Sequence, residues 1–133
     1  MIREGLFALL RDNAGVAAIA AGRVFTIQAP DQAEVYPCVS YRYVGGGADP
    51  TLDTAGVIRQ RIEVSAHSQN ADEAAALLDA LVIALIQWQP QTFPNGARLI
   101  DTNLINPGSD FEAGESRYFR CFCEFAVLYS LPN

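Results

Sequence analysis

Hydrophobic positions change period several times along the chain, and each change marks an element. From Ile2 to Arg11, the residues Ile2, Leu6, Leu9 and Leu10 recur at helical spacing and define one face of an N-terminal helix. Asn13 precedes "AGVAAIAA", where its side chain suits the cap of a second short turn that Gly22 stops. At "RVFTI" (Arg23–Ile27) β-branched and aromatic residues take over. Beyond Pro30 and Pro37, "CVSYRYV" (Cys38–Val44) alternates Val39, Tyr41 and Tyr43 with Ser40 and Arg42. Both stretches read as strands. The cleanest alternation is "VIRQRIEVSAH" from Val57, with Ile58, Ile62, Val64 and Ala66 on one face and Arg59, Arg61, Glu63, Ser65 and His67 on the other. One face suits a core, the other solvent or a partner.

The period then returns to that of a helix. Asn70 with Glu73 three residues on fits an N-cap, Asp72 and Glu73 suit the positive end of the helix dipole, and Pro90 closes the run, which places a helix at Ala71–Gln89. Leu78, Leu81, Val82 and Leu85 form its core stripe. Ile83 projects on the side of Asp72, Asp79 and Gln87, which points to a second contact there. After the turn-rich "QPQTFPNG" come two strand candidates, "ARLIDTNLI" and "RYFRCFCEFAVLYS". In the latter, Phe119, Cys121, Cys123, Phe125 and Val127 share a face. The order is α-β-β-β-α-β-β.

Composition bounds the function. With 133 residues, half of them hydrophobic, the chain has the size of one domain, 1–133, and the apolar material for a core. Charges at Arg3, Glu4, Arg11 and Asp12 interrupt any signal-peptide pattern, so the chain is expected to be intracellular when made. The apolar run Ala74–Ile86 is broken by Asp79 and falls short of the roughly 20 residues of a bilayer span, so no membrane role is expected. The net charge is −6 and every basic residue other than the lone histidine is an arginine. Without a positive cluster to neutralise phosphates, gripping DNA is disfavoured. The arginine-only habit has two readings: protein interfaces, which the planar guanidinium suits, or the codon preference of the source genome.

Candidate chemistry is thin. "VGGGADPTLDTAG" (Val44–Gly56) invites comparison with a phosphate-binding loop, but a strand follows it instead of a helix and no lysine exists. It reads as a long hairpin loop reaching beyond the sheet, either a mobile tip or a contact arm. Cys121 and Cys123 could bind zinc only if Cys38 and His67 converged on them; buried core thiols are the simpler reading. Three cysteines in an intracellular chain also disfavour a disulfide framework. His67 has Ser65 and Glu63 on its face, yet no nucleophile elbow accompanies them, and a histidine at a strand end is expected to be solvated. Asp110, Glu112 and Glu115 fall in "NPGSDFEAGESR", which reads as a solvated acidic loop. No active site, cofactor or metal is expected.

The words "GRVF" followed by a Pro-bearing loop, "YPCVSYRYV", "LDTAGVIRQRIEVSAHS" and "NADEAAALLDALVIAL", in this order, resemble the small tail-completion proteins of long-tailed bacteriophages and prophages, a likeness that extends to tail terminators. It covers roughly residues 4–89, and less clearly the last strand pair. The resemblance implies an α+β fold, with a mixed, mainly antiparallel sheet of about five strands packed on the central and N-terminal helices. It implies a structural protein that caps the head-proximal end of the tail tube, ends tube growth and helps join tail to head, as a hexameric ring. The implied partners are further copies of the chain, the tail tube protein and the head-tail connector, with DNA passing through the channel unbound. The implied location is the virion, after assembly in the host cytoplasm. By positional analogy the subunit contacts fall on an arm at about 45–56, with Gly45, Gly46, Gly47, Asp49, Thr51 and Asp53, and on the strand residues Arg42, Arg59, Arg61 and Glu63. From a different class, a small monomeric binding module would use the Gly-rich loop for its ligand.

Overall fold

The computed structural model describes residues 2–26, 36–48, 57–106, 112–113 and 119–130. Its elements run α1 (Ile2–Asp12), α2 (Ala14–Ala20), β1 (Val24–Thr26), β2 (Cys38–Ala48), β3 (Val57–Ser68), α3 (Ala71–Ile86), β4 (Gln91–Thr92), β5 (Arg98–Asn106), β6 (Glu112–Ala113) and β7 (Phe119–Ser130). The fold is α+β, as expected. The Asn13 turn is a full helix, because Asn13 Oδ1 accepts from the N–H groups of Gly15 and Val16 at 3.0 and 3.2 Å and so satisfies two orphan donors. Ala21 and Gly22 then leave the helix in the left-handed region, at φ 52° and 81°.

Asn70 caps α3 in the same way, accepting from Asp72 N at 2.8 Å and Glu73 N at 3.2 Å. Glu73 does not close the box on the cap residue itself: its carboxylate accepts from Ser68 Oγ at 2.7 Å, and that hydroxyl accepts from Asn70 N. The helix ends at Ile86, earlier than the expected Gln89. Pro90 disfavours helical geometry in the residue before it, and Trp88 gains more by turning inward, where it is buried beside Phe93 with ring centroids 5.9 Å apart.

The strands form one sheet in the order β1-β2-β3-β7-β5-β4, with β6 paired to β7. Only β1–β2 is parallel. Five strands carry the sheet, and β4 and β6 add ladders of two residues each. The spine is β3 against β7, in unbroken register from Val57↔Ser130 to Ser68↔Phe119. On its other side β7 pairs with β5, whose register slips at Ile100 and Ile105; past Leu99 no strand among the described residues lies along the outer side of β5.

One expectation needs correction. Gly45, Gly46 and Gly47 do not begin a loop: β2 continues through them to Ala48, and they pair with Arg61, Gln60 and Arg59. Glycine forgoes side-chain packing but keeps both ladder groups, and the long partner strand supplies a continuous row to bond them, with Gln60 Nε2 also donating to Gly45 O. A bulge at Val44 precedes the glycines.

All three helices pack on one face of the sheet. Leu6, Leu10, Val16, Leu77, Leu81 and Leu85 share a core with Val39, Ile62, Val64, Phe125 and Val127, all of them 2% exposed or less. Alternation therefore sends Arg42, Glu63, Arg120, Glu124 and their neighbours to the other, helix-free face.

Candidate functional site

Ionic side chains on the helix-free face follow from the register. Arg42, Glu63 and Glu124 stand in one row across β2, β3 and β7, so two carboxylates lie directly opposite each other, a pairing that is unfavourable alone. Arginines offset it. Glu63 accepts from Arg42 Nη2 at 3.2 Å through one oxygen and from Arg120 Nη2 at 2.5 Å through the other, while Arg61 Nη2 reaches Glu124 at 2.5 Å. Between its strand position and Glu63 the Arg120 guanidinium lies over the Phe122 ring, 4.6 Å from its centroid. Glu63 is nearly buried, whereas the Arg42 and Arg61 side chains are half exposed.

The expected contact residues thus divide. Arg42, Arg59, Arg61 and Glu63 come together on the helix-free face, where Arg59 is exposed. Gly45 and Gly47 lie beside Arg61 and Arg59, and Gly46 has the opposite parity, beside Gln60. Asp49, Thr51 and Asp53 lie outside the described residues.

Toward the other end of β3 this face is closed. His67, expected to be solvated, is 4% exposed, and its Nε2 lies 2.8 Å from the Ser40 hydroxyl, which is equally buried. Burial and the nearby Arg120 charge push the imidazole down to about 4, so it is neutral near pH 7. Ser40, not Ser65, is its partner, because the two residues sit on neighbouring strands, one pair apart on the same face. Glu63 is taken up by two arginines and not by His67, and both members of the Ser40–His67 pair are buried. The zinc reading fails on parity: Cys38 pairs with His67 on the helix-free face, whereas Cys121 and Cys123 pair with Ala66 and Val64 on the core face. Burial raises all three thiols, Cys38 to about 11 and Cys123 to about 12, which keeps them protonated and inert.

Two surface features lie on the helix side. An apolar cleft of about 560 Å³ opens between Gly5 and Leu9 of α1 and the segment carrying Trp88, Phe93 and Pro94. Sequence reading missed it, since its walls come from a helix and a turn that share no periodic signal. The outer line of α3 comprises Asp72, Ala76, Asp79, Ile83 and Ile86, all exposed, and here the apolar residue noted in the sequence, Ile83, is joined by Ile86.

With ion pairs across its helix-free face, a buried Ser40–His67 pair and an exposed apolar end to its α3 line, the described part of the molecule is an α+β domain, a helix-backed sheet that presents a charged face and an apolar patch at its surface. The chain belongs to the tail completion protein gp17 family, whose model matches residues 4–130. The fold is also that of a chain in the virion of a native gene transfer agent (GTA) particle, with a TM-score of 0.70 and 17% identity over 94% of this chain and 91% of the other. Among curated proteins, none matches the sequence.

Proposed function

We propose that this phage tail structural protein caps the head-proximal end of the tail tube, ends tube growth and helps join tail to head, as a ring of six copies. The observation that carries this reading is the match to a tail completion family over nearly the whole chain. The surfaces agree with it. Helix layer and sheet face lie on opposite sides of the molecule, the arrangement that head-to-tail contacts need, and such contacts close into a ring when the rotation divides a full turn. Six copies of a chain with net charge −6 would give an acidic assembly through which DNA could pass without adhering. The tail tube protein and the head-tail connector are the partners on the two rims, and the site of action is the virion after assembly in the host cytoplasm.

The experiment is the native mass of the purified protein by light scattering across a wide concentration range, with negative-stain images of the same fractions, beside a deletion of its gene in the parent phage. Closed rings of fixed number, and tails of altered length or without heads, are the expected results. Normal, infectious tails without the protein would end the proposal. A monomer with a specific partner outside the tail would favour a small binding module instead.

A further inference from the structure

The two opposite sides of the molecule carry opposite charge. By strand register, the described part of the helix-free face carries Arg42, Arg59, Arg61, Arg98 and Arg120 against Glu63, Asp101, Glu112 and Glu124, one more cation than anion in a chain whose net charge is −6. On the helix side, α3 carries Asp72, Glu73 and Asp79 with no basic residue in its length. Its exposed line is acidic at the start and apolar at the end, with Ile83 and Ile86 at 54% and 60% exposure. Two exposed isoleucines one turn apart on a helix whose other large apolar residues are buried or half-buried form a patch that solvation does not explain.

The sheet offers a counterpart with the same mixture. Arg59 stands directly beside Leu128 in the β3–β7 register, and Leu128 is only partly covered. On α3, Asp79 and Ile83 are one turn apart, about 6 Å, close to the strand spacing of about 5 Å that separates Arg59 from Leu128. An acidic group followed by an apolar one thus faces a basic group followed by an apolar one at matching intervals.

We propose that the exposed line of α3 on one copy docks on the arginine-bearing sheet face of the next copy, setting Asp79 against Arg59 and the isoleucines against Leu128. The contact rests on the ring reading and gives it a specific interface: each copy presents its helix layer to one neighbour and its sheet to the other. The contact is heterologous, so nothing about it is self-complementary within a pair, and it propagates until the ring closes. Among the β2 and β3 arginines, Arg42 and Arg61 already pair with Glu63 and Glu124, which leaves Arg59 for a partner's carboxylate.

Charge exchange tests this directly. Arg59 and Asp79 are both on the surface, so reversing them spares the core. Arg59→Asp alone and Asp79→Arg alone should each weaken self-association at least about tenfold, since like charges are brought together. The chain carrying both changes restores an opposite pair at every interface and should recover association to within about threefold of the original. Ile83→Ser provides a test free of charge and should weaken association with an unchanged thermal melt. Single variants that associate like the parent, or a double variant no better than either single, would overturn the contact while leaving a ring built through other surfaces. A parent chain that stays monomeric at its highest attainable concentration would overturn the contact as well, and the gene-deletion phenotype would then judge the tail role separately.

Discussion

Glu63 and His67 occupy the same face of β3, two pairs apart in the alternation, yet their surroundings differ. Two arginines bracket the Glu63 carboxylate, whereas His67 has a hydroxyl at 2.8 Å and a cation nearby, so burial and repulsion both favour the neutral ring. The sign of the resulting pH dependence follows. With a folded value near 4 against an ordinary 6.5, the unfolded chain binds the extra proton in between. His67 therefore contributes its full stability above about pH 6.5 and loses it as pH falls toward 4, up to roughly 3 kcal/mol if the whole shift is realised. Urea denaturation at pH 7.0, 6.0 and 5.0 should show this fall in the parent and a flatter profile in His67→Gln. Parallel profiles would mean that the histidine titrates normally. The sequence shows that His67 and Glu63 share a face, since alternation alone determines it. That Ser40 meets His67 depends on the register between β2 and β3, which no local pattern encodes.

At the level of elements, the long periodic segments were legible and the short ones were not. α1, α3, β3 and β7 repeat their signal over nine residues or more, and Asn13 and Asn70 announce their caps by composition. A ladder of two residues such as β4 or β6 has no period to read, and the glycines of β2 mimic a loop because their part in the sheet is made entirely by backbone groups. The contact of α1 with the turn after α3 is likewise invisible beforehand, although it is tight: a Cβ on Gly5 would stand 2.4 Å from Phe93 Cε1. Gly5→Ala should displace the Phe93 ring from its place beside Trp88 and cost about 1–3 kcal/mol. Thermal melts followed by Trp88 fluorescence should show both a lower midpoint and an altered native spectrum. An unchanged melt would show that the ring relocates freely.

For the whole molecule, the candidate surface was half legible: the arginine row came from alternation and the assembly role from the order of short words, while the acidic helix line gained meaning only once the fold set it opposite that row. The β2–β3 ladder closes at Ala48↔Ile58, so deleting Pro50–Ala55 leaves a three-residue connection, Asp49, Gly56 and Val57, of a length that hairpins commonly use. If the intervening segment is a contact arm, this deletion should keep the melting midpoint within a few degrees and abolish ring formation, as read by light scattering; rings of normal mass would remove the segment from the interface. The outer strand has a different bearing on the life of the protein. An exposed β-edge is an invitation to backbone-to-backbone zipping and runaway fibres, but the bulges at Ile100 and Ile105 break the even row of donors and acceptors that a newcomer would copy. That broken edge keeps copies of the chain from polymerising through their sheets, and leaves recognition to side chains, which can be specific and can let go.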